Sequence, residues 1–119
     1  MTATEIRLID GKTEFKFKTL PGGQWPPLEG TVRPASNREI SGLDARLADI
    51  RLKGGPEAET LVLKERATFY AARILSWNVS AEINPTNVEN LPWEIFKQLD
   101  SVVAGAGGLV LGNSDATSA

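Results

Sequence analysis

The stretch SNREISGLDARLADIRLKGG, residues 36–55, encodes a helix together with both of its ends. Ser36 and Glu39 have capping-box spacing, in which each side chain satisfies a free amide of the first turn. Ile40, Leu43, Leu47 and Ile50 follow at steps of three and four, an apolar stripe on a 3.6-residue period. Arg38, Asp44, Arg46, Asp49 and Arg51 fall largely on the opposite side and read as a solvated face. Gly54-Gly55 then provides the positive φ that closes such a helix. A helix with one apolar face needs a second layer to bury it, and the residues upstream supply one with a different period.

There the period is two. Ile6 and Leu8 alternate with Glu5 and Arg7, and Phe15 and Phe17 alternate with Glu14, Lys16 and Lys18. Asp10-Gly11 lies between them and suits a type I′ turn, so residues 4–20 are expected to form a β-hairpin. Pro21-Gly22-Gly23 and Pro26-Pro27 mark a loop over residues 21–30. Trp25 within it is expected to cover the core; the alternative is an exposed anchor for a partner. Residues 31–33 offer a short third strand before Pro34.

Downstream, Pro56 opens a second helix expected over residues 56–76, with Glu57 and Glu59 near its positive end. Leu61, Thr68, Ala72 and Leu75 share one side of it, with Val62, Phe69 and Arg73 beside them. Trp77, Val79, Ala81 and Ile83 alternate through residues 76–83, as a short strand or an extended connector. Thr86 and Glu89 repeat the capping-box spacing, and Pro92 begins or kinks a helix reaching residue 104. That helix carries Trp93, Phe96, Leu99 and Val103 on one face, with Ile95 and Val102 adjacent. The fold class expected is α+β: a small N-terminal β-hairpin or short antiparallel sheet packed with about three helices. Residues 1–104 read as a single domain. Residues 105–119, rich in Gly, Ser, Asn and Ala around Leu109-Val110-Leu111, read as a flexible C-terminal tail that docks transiently through that cluster.

Composition narrows the function. The chain has 119 residues, 41 % of them hydrophobic, enough for one small core. Its 13 basic and 15 acidic side chains leave a net charge of −2, without the basic surplus that phosphate binding requires. No apolar run approaches the roughly 20 residues of a membrane span, and residues 1–20 lack the apolar core of a signal peptide. Neither nucleic acid nor membrane is expected as a partner. The chain has no cysteine, which rules out disulfides, a thiolate nucleophile and zinc–thiolate clusters. It has no histidine, which removes the commonest general base and metal ligand. Asp44 and Asp49, or Glu57 and Glu59, are spaced so that neither pair shares a helix face well. The glycine-rich stretches lack the Lys-Ser/Thr ending of a phosphate loop. No catalytic, cofactor or metal-binding residue is therefore named, and the chain reads as a non-catalytic protein that binds another protein.

Residues 74–79, Ile-Leu-Ser-Trp-Asn-Val, and 84–96, Asn-Pro-Thr-Asn-Val-Glu-Asn-Leu-Pro-Trp-Glu-Ile-Phe, carry a resemblance. This part, roughly residues 67–103, resembles the C-terminal region of the tail assembly chaperones of long-tailed bacteriophages. There a helix runs into a Trp-containing segment, then a Pro-Thr-x-Glu-Asn-type turn, then a Leu-Pro-x-x-hydrophobic-Phe helix. In Pro85-Thr86-Asn87-Val88-Glu89 the acidic residue and the following Asn are displaced by one or two positions from that order. The resemblance implies a protein of the host cytoplasm that binds the tape measure protein, with the tail tube protein as a further partner. It would keep the tape measure protein soluble before the tube polymerises. It also makes Trp77, Trp93 and Phe96 the candidate partner-binding residues, since aromatics concentrate in interface hot spots. Read from the helix alone, Trp93 and Phe96 belong to the core. The alternative function is a structural virion component, such as a head–tail connector or minor tail protein.

Overall fold

The computed structural model describes residues 6 and 8–105 and the backbone of residues 110–112. Strands β1 (Phe15–Lys18) and β2 (Glu29–Val32) pair antiparallel, with Phe15 opposite Val32 and Lys18 opposite Glu29. Helices α1 (Asn37–Lys53) and α2 (Ala58–Ala71) follow, then strand β3 (Ile74–Trp77), which pairs with β2. Three short helices come next: α3 (Pro85–Glu89), α4 (Trp93–Phe96) and α5 (Leu99–Val103). Strand β4 (Val110–Gly112) closes on β1, giving the order β3-β2-β1-β4. The protein is a small mixed α+β fold.

The sheet has one wet and one dry face, as an antiparallel sheet permits. Phe17, Val32 and Ile74 are buried, whereas Lys16, Lys18 and Ser76 are exposed. The helices lie on the dry face. Leu43 and Leu47 of α1, Phe69 and Tyr70 of α2, Val88 of α3 and Leu99 and Val102 of α5 join the strands in a single core. α1 follows the sequence closely. Ser36 Oγ accepts from the Glu39 amide (3.2 Å), Glu39 Oε1 accepts from the Ser36 amide (2.9 Å), and Gly54 and Gly55 take φ of 66° and 95°.

The N-terminal hairpin is corrected. β1 is a true strand, but its partners are β2 and β4, which fill both of its edges. No edge is left for an arm returning through Asp10-Gly11. Thr4, Glu5 and Arg7 lie outside the described residues; Ile6 and Leu8 are 97 % and 88 % exposed. Asp10 makes an Asx turn in place of the expected type I′ turn, its carboxylate accepting from the Lys12 amide at 2.8 Å and the Thr13 hydroxyl at 3.1 Å.

α2 ends at Ala71, earlier than expected, because Ile74–Trp77 is drawn into the sheet beside β2. Its buried residues are Val62, Ala67, Phe69 and Tyr70, while Leu61 and Thr68 are exposed. Apolar residues nearly surround this helix, so periodicity did not identify the inward side. The long helix expected to end at residue 104 is broken into three. Asn84, not Thr86, caps α3, its side chain accepting from the Asn87 amide at 2.8 Å. Pro92 starts α4, and a turn at Lys97-Gln98 separates α4 from α5. Within the expected tail, the backbone of Val110–Gly112 is the fourth strand; residues 106–109 and 113–119 lie outside the described residues.

Candidate partner-binding cleft

The β1–β2 connection is built to hold Trp25 away from the core. Thr19 and Leu28 extend the ladder by one rung, Thr19 N–H to Leu28 O at 2.9 Å, and the buried Thr19 hydroxyl accepts from the Leu28 amide at 2.9 Å. Gly22 and Trp25 then exchange backbone hydrogen bonds of 3.1 and 2.9 Å around Gly23, whose φ is 63°. Gly22 sits hard against α4: a Cβ there would meet Glu94 Cβ at 2.8 Å and Ile95 Cδ1 at 2.9 Å. Gln98 fastens the same loop. Its Oε1 accepts from the Leu20 amide (2.8 Å) and its Nε2 donates to Leu20 O (3.1 Å) and Glu94 O (2.8 Å). With its base so fixed, Trp25 stands 51 % exposed.

Asparagines position the facing wall. Asn78 accepts from the Glu29 amide (2.9 Å) and donates to Pro27 O (3.2 Å), pinning the loop to the end of β3. Trp77 Nε1 donates to Ala81 O at 2.8 Å, which closes the bend after the strand. Asn87 Nδ2 donates to Glu82 O at 2.7 Å, and Asn90 Nδ2 to Thr86 O at 3.0 Å. Between the Trp25-Pro26-Pro27 wall and Leu91, Pro92 and Ile95 lies a cleft of about 570 Å³, which Val79 and Ala81 also line. None of its lining residues is ionisable, in a chain of which 24 % is charged.

The three aromatics expected to bind a partner are not brought together here. Trp77 is half-buried beside the cleft and does not line it. Trp93 is 65 % exposed but faces another hollow, of about 300 Å³, with Arg66, Tyr70, Lys97 and Asp100. Phe96 is 6 % exposed and packs edge-on to Tyr70, centroids 5.5 Å apart; it is a core residue, which corrects its assignment as a partner contact. The expectation that Trp93 belongs to the core is corrected too. Its ring stacks on Phe96 from outside, centroids 6.2 Å apart. Trp25, expected to cover the core, is instead half exposed at the cleft. Pro26 and Pro27 read from sequence as loop punctuation and Leu91-Pro92 as a helix start; only their nearness to Trp25 and Trp93 hints at a shared surface.

Chemistry is scarce around these hollows. Asp100 accepts a short hydrogen bond from the Tyr70 hydroxyl and pairs with Arg66 Nη1 at 2.8 Å. Burial first, then the Asp100 carboxylate, pushes the Tyr70 hydroxyl well above its ordinary value. Tyr70 therefore stays protonated as a structural donor. Among the described residues no group of three or more acidic side chains is placed to hold a metal ion, and no helix is long and apolar enough to cross a membrane. Comparison with family models, with curated proteins and with solved structures gives no match.

Proposed function

We propose that this protein is a tail assembly chaperone of a long-tailed bacteriophage, acting in the host cytoplasm. It binds the tape measure protein through the uncharged cleft between Trp25-Pro26-Pro27 and Leu91-Pro92. The observation that carries this reading is the lining itself. A groove without ionisable groups suits the apolar stripe of a helix and gives nothing to a charged ligand. Most of the facing wall, Asn78, Val79, Asn87, Asn90, Leu91, Pro92 and Ile95, also falls within the segments that resemble the chaperones. Trp25 supplies the large exposed ring that such an interface uses as an anchor. Fixed amides of Asn87 and Asn90 at its edge offer hydrogen bonds to the partner's backbone or polar flank.

The test is co-expression with the tape measure protein of the same phage, followed by pull-down and a solubility assay. The expected result is a soluble complex that depends on the chain and is lost in Trp25→Asp and Leu91→Asp, with each variant's melting checked alone. Failure to form a complex, with the chain recovered from purified particles, would replace this reading by that of a structural virion component.

A further inference from the structure

The sheet has an open edge, and Ile6 and Leu8 are left uncovered. β3 pairs with β2 on one side; among the described residues no backbone group of Ile74–Trp77 hydrogen-bonds on the other. Edge strands are usually protected by lysine or proline, and Ile74-Leu75-Ser76-Trp77 has neither, nor any charge. Leu75 is 38 % exposed on it. At the N-terminus, Ile6 and Leu8 have the spacing of one apolar strand face and touch almost nothing, at 97 % and 88 % exposed. The base of this arm is held: Ile9, Asp10 and Gly11 line a hollow with Arg33 and Arg73, beside the start of β3, and Asp10 closes its turn with Lys12 and Thr13.

We infer that the N-terminal arm around Ile6–Ile9 adds as a fifth strand to the open β3 edge of a second copy of this chain. Ile6 and Leu8 bring two unsatisfied apolar side chains to an uncharged edge. Its own β1 is closed to it by β2 and β4. Its own β3 is not used either, since Ile6 and Leu8 would then be covered. Backbone pairing supplies the affinity, and burial of Ile6 and Leu8 sets the register. The contact joins an arm on one copy to an edge on the other, so reciprocal exchange yields a two-fold dimer. This inference is independent of the cleft and of the chaperone reading.

Sedimentation equilibrium over a concentration series tests it with the full chain and two variants. Ile6→Asp/Leu8→Asp spoils the arm, and Leu75→Lys spoils the edge; all three positions are exposed, so both variants should fold. Each alone should associate at least about tenfold more weakly than the native chain. Mixed, they should form a one-to-one heterodimer, because one keeps a sound arm and the other a sound edge. In that mixture the amides of Ile6–Ile9 in the edge-spoiled copy should gain protection from hydrogen exchange. A native chain that stays monomeric throughout overturns the inference, including one in which the arm's amides are protected by folding onto its own β3. So does association that survives either variant unchanged.

Discussion

Phe96 and Trp93 stand three residues apart and stack on each other, yet they do opposite work. Phe96 is enclosed by Tyr70 and the α5 residues of the core, and its ring holds α4 against α2. Phe96→Ala should cost about 3–5 kcal/mol, the range for emptying an aromatic core site. Trp93→Ala removes a ring that is mostly in water and should cost no more than about 1 kcal/mol. Urea unfolding of both variants checks this; equal losses would mean that Trp93 is part of the packed interior. The spacing of Phe96, Leu99 and Val103 made their burial legible. Trp93 shares that spacing but not the fate, because α4 is a single turn whose Trp93-Glu94 side is exposed and whose Ile95-Phe96 side is buried.

At the scale of elements, α1 shows how a helix end is tied into the tertiary structure. The Ser36 amide donates to Glu39, and Arg73, at the end of α2, pairs with the same carboxylate while its guanidinium lies 4.1 Å above the Phe69 ring. The Ser36 hydrogen bond is the main cause that holds the Glu39 carboxyl below its ordinary value; partial burial opposes it and Arg73 assists. A carboxyl depressed in the folded state stabilises above its unfolded pKa, and that contribution is lost as pH falls through the folded value. The native chain should therefore lose stability on acidification from about pH 6 to about pH 3. Glu39→Gln should be less stable at the higher pH and lose less on acidification. Urea midpoints at both pH values decide it; an unchanged acid loss in the variant would remove Glu39 from the account. The capping box was readable from Ser36 and Glu39 alone. The pairing of Glu39 with Arg73, far away in sequence, was not readable.

For the whole molecule, sheet and helices share a single core, so they should unfold together. Far-UV circular dichroism and tryptophan fluorescence should report coincident urea transitions. Trp25 and Trp93 should be open to acrylamide quenching before unfolding begins, as their exposure requires. Separate transitions by the two probes would show that the helical layer and the sheet are not one cooperative unit.

Local chemistry determined a good part of this protein. The capped helix α1, the strand alternation of Phe15 and Phe17 and the α+β class all follow from neighbouring residues. Their signals are short-range: a period, a cap, a turn residue. Tertiary structure alone decided which strands pair. Asp10-Gly11 favours a hairpin locally, but β2 and β4 take both edges of β1 and leave Ile6 and Leu8 outside. It also decided that a Pro-rich loop and a broken helix face each other across an uncharged cleft. Gln98 and Asn78 fix that arrangement through bonds to Leu20 and Pro27, distant along the chain, and no periodicity encodes such a contact.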